Sequence, residues 1–439
     1  MLEEGGFDLA LEAMKGAKYC DVRLLEEEVV ELGLRPRSED LYESRSERIV
    51  CRSVDNGYGV ATSTVPIPEG ITKVARQALA ASRHGQGIDL APVPPQSGSR
   101  SHKELKPFDV ENVRKFLKNL RDALSNIVKG ADVRPEFVCS YSRSDSILAT
   151  SEGTNVRETI PKTDLTIYVA VKKAFQGFSG KVLGGIGGLE VLENQPWNDI
   201  LHDLAGRALD GADSKPLPAF YRGSRFKVIL DNEGSGALAH EVAHLLEADV
   251  FQEGVFHGLE PAEDFAIVDD PCIPGSYGSF LWDDEGVKSG NKVLVSREGI
   301  DLLHTRLTAK GEKGVPGNAR GVFREPRPGP SNVFIRPSDW DVAEIFEETG
   351  RGLYARGLIR AECDTAVGKI EIMPEIAYMI EKKEVKRKIK GLRVTGFVKE
   401  LIQKVDAIAK DFALRPSFEK DFAISEGGPH IRMDGVICL

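Results

Sequence analysis

Two histidines and a glutamate stand at a spacing that supports hydrolytic chemistry. Ala239-His240-Glu241-Val242-Ala243-His244-Leu245-Leu246-Glu247 contains the pattern HExxH. In a helix, residues i and i+4 share a face one turn apart, so both imidazoles reach a single ion. Zinc takes imidazole nitrogen at about 2.0–2.1 Å and, in catalytic sites, keeps one position open. Glu241 projects beside that position. A carboxylate there takes a proton from zinc-bound water during attack on a carbonyl and delivers it to the leaving amine. The competing reading is a surface helix with two unrelated histidines. Against it, Leu238, Val242, Leu245 and Leu246 give the helix apolar faces that fix it in place. A third ligand has to come from elsewhere. Glu247, Asp249 and His257 all follow His244, and no spacing rule selects among them.

The elements that must position this helix are legible around it. Phe226–Leu230 reads as a strand running into a helix over roughly 232–251. From there to the end the pattern is short strands and Gly/Pro turns, with helices expected near 342–349 and 398–408. That predicts a β-rich sandwich or barrel carrying the HExxH helix. Upstream, residues 19–63 read as strands with a tight turn at Asp55-Asn56-Gly57, followed by a helix begun by Pro68. Pro92, Pro94, Pro95 and a Gly/Ser cluster predict a linker. A helix with the stripe Val110, Val113, Phe116, Leu117, Leu120, Leu124 and Ile127 follows, then strands over 136–182 and a helix from Trp197 to Leu209. The fold class expected is α+β. The divisions expected are an α+β domain over 1–90, a linker over 91–104, a second α+β domain over 105–220, and a β-rich metallopeptidase domain over 221–439.

Composition narrows the function classes. The chain has 439 residues, 29% of them charged, and a net charge of -10. Such a balance disfavours a nucleic-acid binder, which needs a basic face. The local basic stretch Lys382, Lys383, Lys386, Arg387, Lys388, Lys390 is diluted by Glu381 and Glu384 and reads as a solvated strand-turn-strand. The six cysteines (Cys20, Cys51, Cys139, Cys272, Cys363, Cys438) form no CxxC pair and suit a reducing compartment. Met1-Leu2-Glu3-Glu4 offers no basic or apolar leader, and no long apolar run is present. A cytoplasmic chain without membrane contact is expected.

The chain resembles the TldD/PmbA family of metalloproteases over nearly its whole length. The matching blocks are Ala17 to Arg23, Gly57 to Ser63, Phe226 to Asp249, Asp283-Asp284-Glu285-Gly286, Arg306-Leu307-Thr308-Ala309, Gly317-Asn318-Ala319-Arg320, Cys363 to Gly368 and Gly427-Gly428-Pro429. The resemblance implies a TldD-like subunit, since the PmbA-like partner lacks the metal motif. It also implies a homodimer, or a heterodimer with a PmbA-like subunit, that encloses a cavity and cleaves unfolded peptides with Zn2+. The family's usual motif is HExxxH, one residue longer than here. Its third ligand is a Cys in a segment like D-F-x-M-x-P-x-x-C-G-K. Here that segment reads Asp411-Phe412-Ala413-Leu414-Arg415-Pro416-Ser417-Phe418-Glu419-Lys420, which puts Glu419 in the Cys position when counted from the left. Counting back from Gly427 puts Arg415 there. Glu419 is the third metal ligand carried forward with His240 and His244, and Glu241 is the catalytic base. Cys438, Cys363 and His430 remain alternatives. The rival function is a non-catalytic peptide-binding or scaffold subunit.

The other blocks have plainer readings. Asp283, Asp284 and Glu285 read as a solvated turn. Residues 314–317 read equally as a turn or as a border of the substrate cleft. His304 reads as a satisfied partner near a strand end. Trp282 and Trp340 read as packing anchors. Pro330 to Ile335 is a candidate edge strand for docking an extended peptide.

Overall fold

The computed structural model describes residues 5–65, 67–129, 131–173, 175–311, 314–382, 384–419 and 422–439. The leader expectation at Met1–Glu4, Lys383 of the basic stretch and Lys420 of the ligand segment lie outside them. The fold is α+β and is built on three large sheets.

The first sheet has seven strands. Its order is Tyr58–Ser63, Glu39–Val54, Tyr19–Leu34, Asp132–Thr150, Asn155–Lys172 and Ser97–Ser101, with Gln176–Ile186 also paired to Asn155–Lys172. The sheet therefore takes strands from both expected N-terminal units. Tyr19–Leu34 and Asp132–Thr150 pair along most of their length. The stretch expected as a linker contributes Ser97–Ser101, which pairs in parallel with Asn155 to Thr159. Its glycine and serines leave the backbone exposed, and the free edge of the neighbouring strand satisfies it. The amphipathic helices Pro68–Ser82, Val110–Ile127 and Trp197–Ala212 cover the sheet through separate apolar clusters. An N-terminal helix, Gly5–Ala13, carries no signal that sequence reasoning used.

The C-terminal half holds a six-stranded and a ten-stranded sheet. The helix Asn232–Leu245 lies between them. Its apolar residues share one core with strands of both sheets. The C-terminal half is thus two sheets with a helix between, not a direct sheet-on-sheet sandwich. Asp231 caps this helix, its carboxylate accepting from Gly234 N at 3.0 Å. Small residues allow the close approach. A Cβ at Gly236 would sit 2.5 Å from Gly427 Cα, so only glycine fits there. One turn later comes His240, and the residue before Gly427 is Glu426. Backbone contact at the glycines therefore brings those two side chains together.

Several expectations shift. The helix ends at Leu245, short of Phe251, because Glu247 turns back to bond His244 and Leu303 N binds Leu246 O at 2.9 Å. The helix expected over 398–408 stops at Gln403, and Val405–Ile408 becomes a strand paired with Ile431–Cys438. Asn332–Ile335 is not an edge strand; it sits between Ile267–Asp269 and Phe422–Gly428. Asp283 and Glu285 are buried, not solvated, at 2% and 4% exposure. They pack beneath backbone N–H groups, with Asp283 accepting from Glu285, Val287 and Ala319. The basic stretch forms Ile376–Glu381 and Glu384–Lys390, antiparallel neighbours as expected. No helix among the described residues is long and apolar enough to cross a membrane.

Candidate metal centre

His240 and His244 project from the same face of the central helix, their ring centroids 4.7 Å apart. The strand Ala413–Glu419 ends opposite them. Glu419 Oε2 lies 3.4 Å from His244 Nε2 and 3.8 Å from His240 Nε2. Among the described residues, these three form the group whose ligand atoms all fall within 4.8 Å of one another. Glu241, on the same helix, lines the cavity of about 540 Å³ that the three residues face.

The other nitrogen of each imidazole is already engaged. His244 Nδ1 donates to Glu247 at 2.7 Å. His240 Nδ1 donates to Glu426, which is also paired with Arg415. Carboxylates on Nδ1 fix each ring's tautomer and leave Nε2 to act as the ligand. Burial works against charge on Glu426, but Arg415 and His240 hold its carboxyl down at about 2. For His244, burial opposes protonation while Glu247 and Glu419 push its pKa up to about 10. His240 Nε2 is buried without a hydrogen-bond partner. Its 3.8 Å approach to Glu419 is too long to count as a hydrogen bond. An orphaned buried nitrogen facing an imidazole and a carboxylate fits a cation, and two His with one Glu is an established donor set for zinc with an open position.

The remaining candidates are elsewhere. Glu247 lies on the Nδ1 side of His244, so it orients that ring instead of joining the Nε2 cluster. Asp249 and His257 are exposed beyond the helix. His430 is held by Asp411 at 2.8 Å and by the Tyr354 hydroxyl at 3.1 Å. Cys438 is fully buried in the C-terminal core. Cys363 is half-buried, near enough for Glu241 to add to the effect of burial in raising its thiol to about 12, but outside the cluster. Arg415, the outcome of counting back from Gly427, is the partner of Glu426. Sequence reasoning missed Glu426 and the orienting role of Glu247. Glu426 directly precedes the Gly427-Gly428-Pro429 block, the one signal that pointed to it.

Comparison with known proteins finds similarity to metalloproteases. Residues 223–438 match a family model described as the PmbA/TldA metallopeptidase C-terminal domain. A metalloprotease of Methanocaldococcus jannaschii is 27% identical, over 86% of this chain and 87% of its own. A zinc metalloprotease TldD homolog of Saccharolobus solfataricus is 28% identical, over 54% of this chain and 55% of its own. In fold, the chain is similar to TldE from Thermococcus kodakarensis, with a TM-score of 0.79 at 16% identity, covering 98% of this chain and 99% of that one. The helix with its paired histidines, the matched C-terminal half and the full-length likeness in fold agree: the chain belongs to the TldD/PmbA metallopeptidase family.

Proposed function

We propose that this chain is a zinc-dependent peptidase of the TldD-like type, with His240, His244 and Glu419 as metal ligands and Glu241 as catalytic base. The observation that carries the reading is the convergence of three ligand atoms within 4.8 Å at the wall of a 540 Å³ cavity. Zinc, when bound, supplies Lewis acidity toward a carbonyl oxygen and toward water. Glu241 holds and passes the proton. Burial pushes its carboxyl above the usual range, His240 and His244 pull it back, and Glu426 and Glu419 push it up again. A carboxylate raised in this way takes a proton from water more readily, and its protonated form is populated closer to neutral pH, where it can be passed to a leaving amine. Glu426 and Glu247 keep the imidazoles aimed.

The preference for extended peptides is supported by strand edges. Among the described residues, Gln176–Ile186, Ala413–Glu419 and Arg360–Asp364 each pair with one neighbour, at the edges of three different sheets. Residues of all three border the cavity. Unpaired backbone at such edges binds extended chains by main-chain hydrogen bonds. Tyr168 and Phe178 stack with centroids 5.7 Å apart and present exposed aromatic surface at the same cavity. The likeness in fold to TldE supports a second copy or a PmbA-like subunit as partner. The solution mass of the purified chain tests this, and a monomer at working concentration would remove the homodimer.

Metal content tests the centre. About one zinc per chain is expected, lost in His240→Ala and in His244→Ala. Glu426→Ala and Glu247→Ala are expected to keep the fold and weaken zinc by about 10–100-fold, the usual cost of losing an orienting partner. Elemental analysis and competition with a chelator read both. Wild-type zinc in either histidine variant would favour a non-catalytic peptide-binding subunit.

A further inference from the structure

A second cavity, of about 220 Å³, lies between the face of the seven-stranded sheet and the loops of the C-terminal half. Segments carrying three of the blocks on which the family resemblance rests meet there: Arg23 from the first strand, Asp283 and Asp284 from the acidic turn, and Arg320. The metal residues do not line it.

Its charges are unevenly satisfied. Every carboxylate on its wall is occupied by the protein. Glu27 pairs with Arg48. Glu158 accepts from Leu281 N at 3.0 and 3.1 Å. Asp283 accepts from three backbone N–H groups, and Asp284 accepts from Gly321 N at 2.7 Å. Among the described residues the cations make no ion pair: carboxylates lie near enough to favour their charge (Asp284 for Arg23 and Arg320, Glu158 and Asp164 for Lys162), but the groups in direct contact are neutral. Arg23 donates to the Ser146 hydroxyl and the Asp284 carbonyl. Arg320 donates to the Ala423 carbonyl, with its guanidinium 4.5 Å from the ring centres of both Phe280 and Phe422. The Lys162 ammonium lies 5.2 Å from the centre of the Tyr277 ring, and among the described residues no hydrogen bond or ion pair holds it. Three donors of residues that line the cavity, Arg23 Nε, Arg320 Nε and Trp282 Nε1, are buried behind its wall without partners. Arg23 and Arg320 are each only 8% exposed. Buried donors left unmatched cost free energy.

We propose that this cavity binds the carboxylate of a small ligand with an apolar or aromatic body. Arg320 and Lys162 would receive the charge, and Phe280, Phe422 and Phe323 would enclose the body. A guanidinium packed against two rings and bonded to a backbone carbonyl is restrained, which suits recognition of a planar carboxylate. Burial and then Arg320 push Lys162 down to about 7, a shift that a bound anion opposes. The carboxylate has two possible sources, a free organic acid or the end of a peptide chain. The assignment stands apart from the metal centre.

The test is calorimetric titration of the full chain after chelator treatment, so that neither hydrolysis nor a metal contributes. N-acetyl-L-phenylalanine is expected to bind at least about tenfold more tightly than its amide, the worth of one charged hydrogen-bonding pair. Arg320→Gln and Lys162→Met should each weaken the acid about tenfold or more and leave the amide unchanged. Lys162 makes no hydrogen bond among the described residues, so its variant decides the matter if Arg320→Gln fails to fold. Tetrapeptides ending in phenylalanine, free or amidated at the C-terminus, distinguish the sources: tight binding of the free-ended peptide assigns a chain end, and binding of the acid alone assigns a free acid. Equal affinity for acid and amide, undiminished binding by Lys162→Met, or no binding of any probe would overturn the proposal.

Discussion

Glu241→Gln is expected to keep zinc at the wild-type level and to slow cleavage of an unstructured peptide by at least about 100-fold, the low end for loss of a general base. The two outcomes separate because Glu241 is not one of the three residues whose ligand atoms cluster. Glutamine keeps the shape and a hydrogen-bond acceptor but has no proton to exchange. The half-buried position of Glu241 is neutral-tolerant, since burial is the first cause of its raised pKa. The swap should therefore leave the helix intact. Zinc analysis and peptide turnover on the same preparation check it. Turnover near the wild-type rate would assign the proton transfer to another group. Loss of zinc along with activity would make Glu241 part of the metal shell.

The sequence made the centre's first half legible for a geometric reason. Helical periodicity alone puts His240 and His244 on one face, so two ligands and the base need no knowledge of tertiary structure. Glu419 was reached only by matching a segment. No periodicity connects the end of a strand to a helix so far upstream, so sequence alone leaves His430, Cys363 and Cys438 as alternatives to Glu419. Glu426 was invisible because its relation to His240 spans 186 positions and depends on two glycines meeting, Gly236 and Gly427. A glycine signals a close approach without saying what approaches.

The same limit explains the misread surface. Asp283-Asp284-Glu285-Gly286 has the composition of a solvated turn, yet two of its carboxylates are buried because neighbouring backbone N–H groups receive them. Composition records that a group is charged, not whether donors from distant segments satisfy it. Local elements fared better. Pro68 begins its helix as expected, and the helix expected at 342–349 is found at Val342–Thr349, where Asp341 and Glu344 form a capping box. Where hydrophobic period and capping agree, the element is encoded locally. Partners across sheets are not.

Glu419→Ala should cost more zinc affinity than Glu426→Ala, and so exceed the roughly 10–100-fold loss expected from an orienting residue. Two imidazoles without a third protein ligand make a weak site, because stable catalytic centres use three ligands and leave the fourth position open. Glu419 ends an edge strand and is partly exposed, with side-chain exposure of 18%, so its removal leaves no large void. Glu419→Gln separates charge from shape. It fills the same space, but a neutral amide oxygen is a poorer ligand than a carboxylate, so it should fall between the wild type and alanine. Cys363→Ser and His430→Ala serve as comparisons and should bind zinc like the wild type, since Cys363 lies outside the cluster and His430 is committed to Asp411 and Tyr354. Thermal unfolding of the metal-free variants guards against a trivial explanation: the melting temperatures should match while the zinc-loaded ones diverge, because a ligand that binds only the folded state raises stability in proportion to its affinity. Undiminished zinc binding by Glu419→Ala would exclude this residue from the shell. A loss in Cys363→Ser instead would move the third ligand to the strand Arg360–Asp364 of the ten-stranded sheet, closer to the thiolate chemistry that the family resemblance implies.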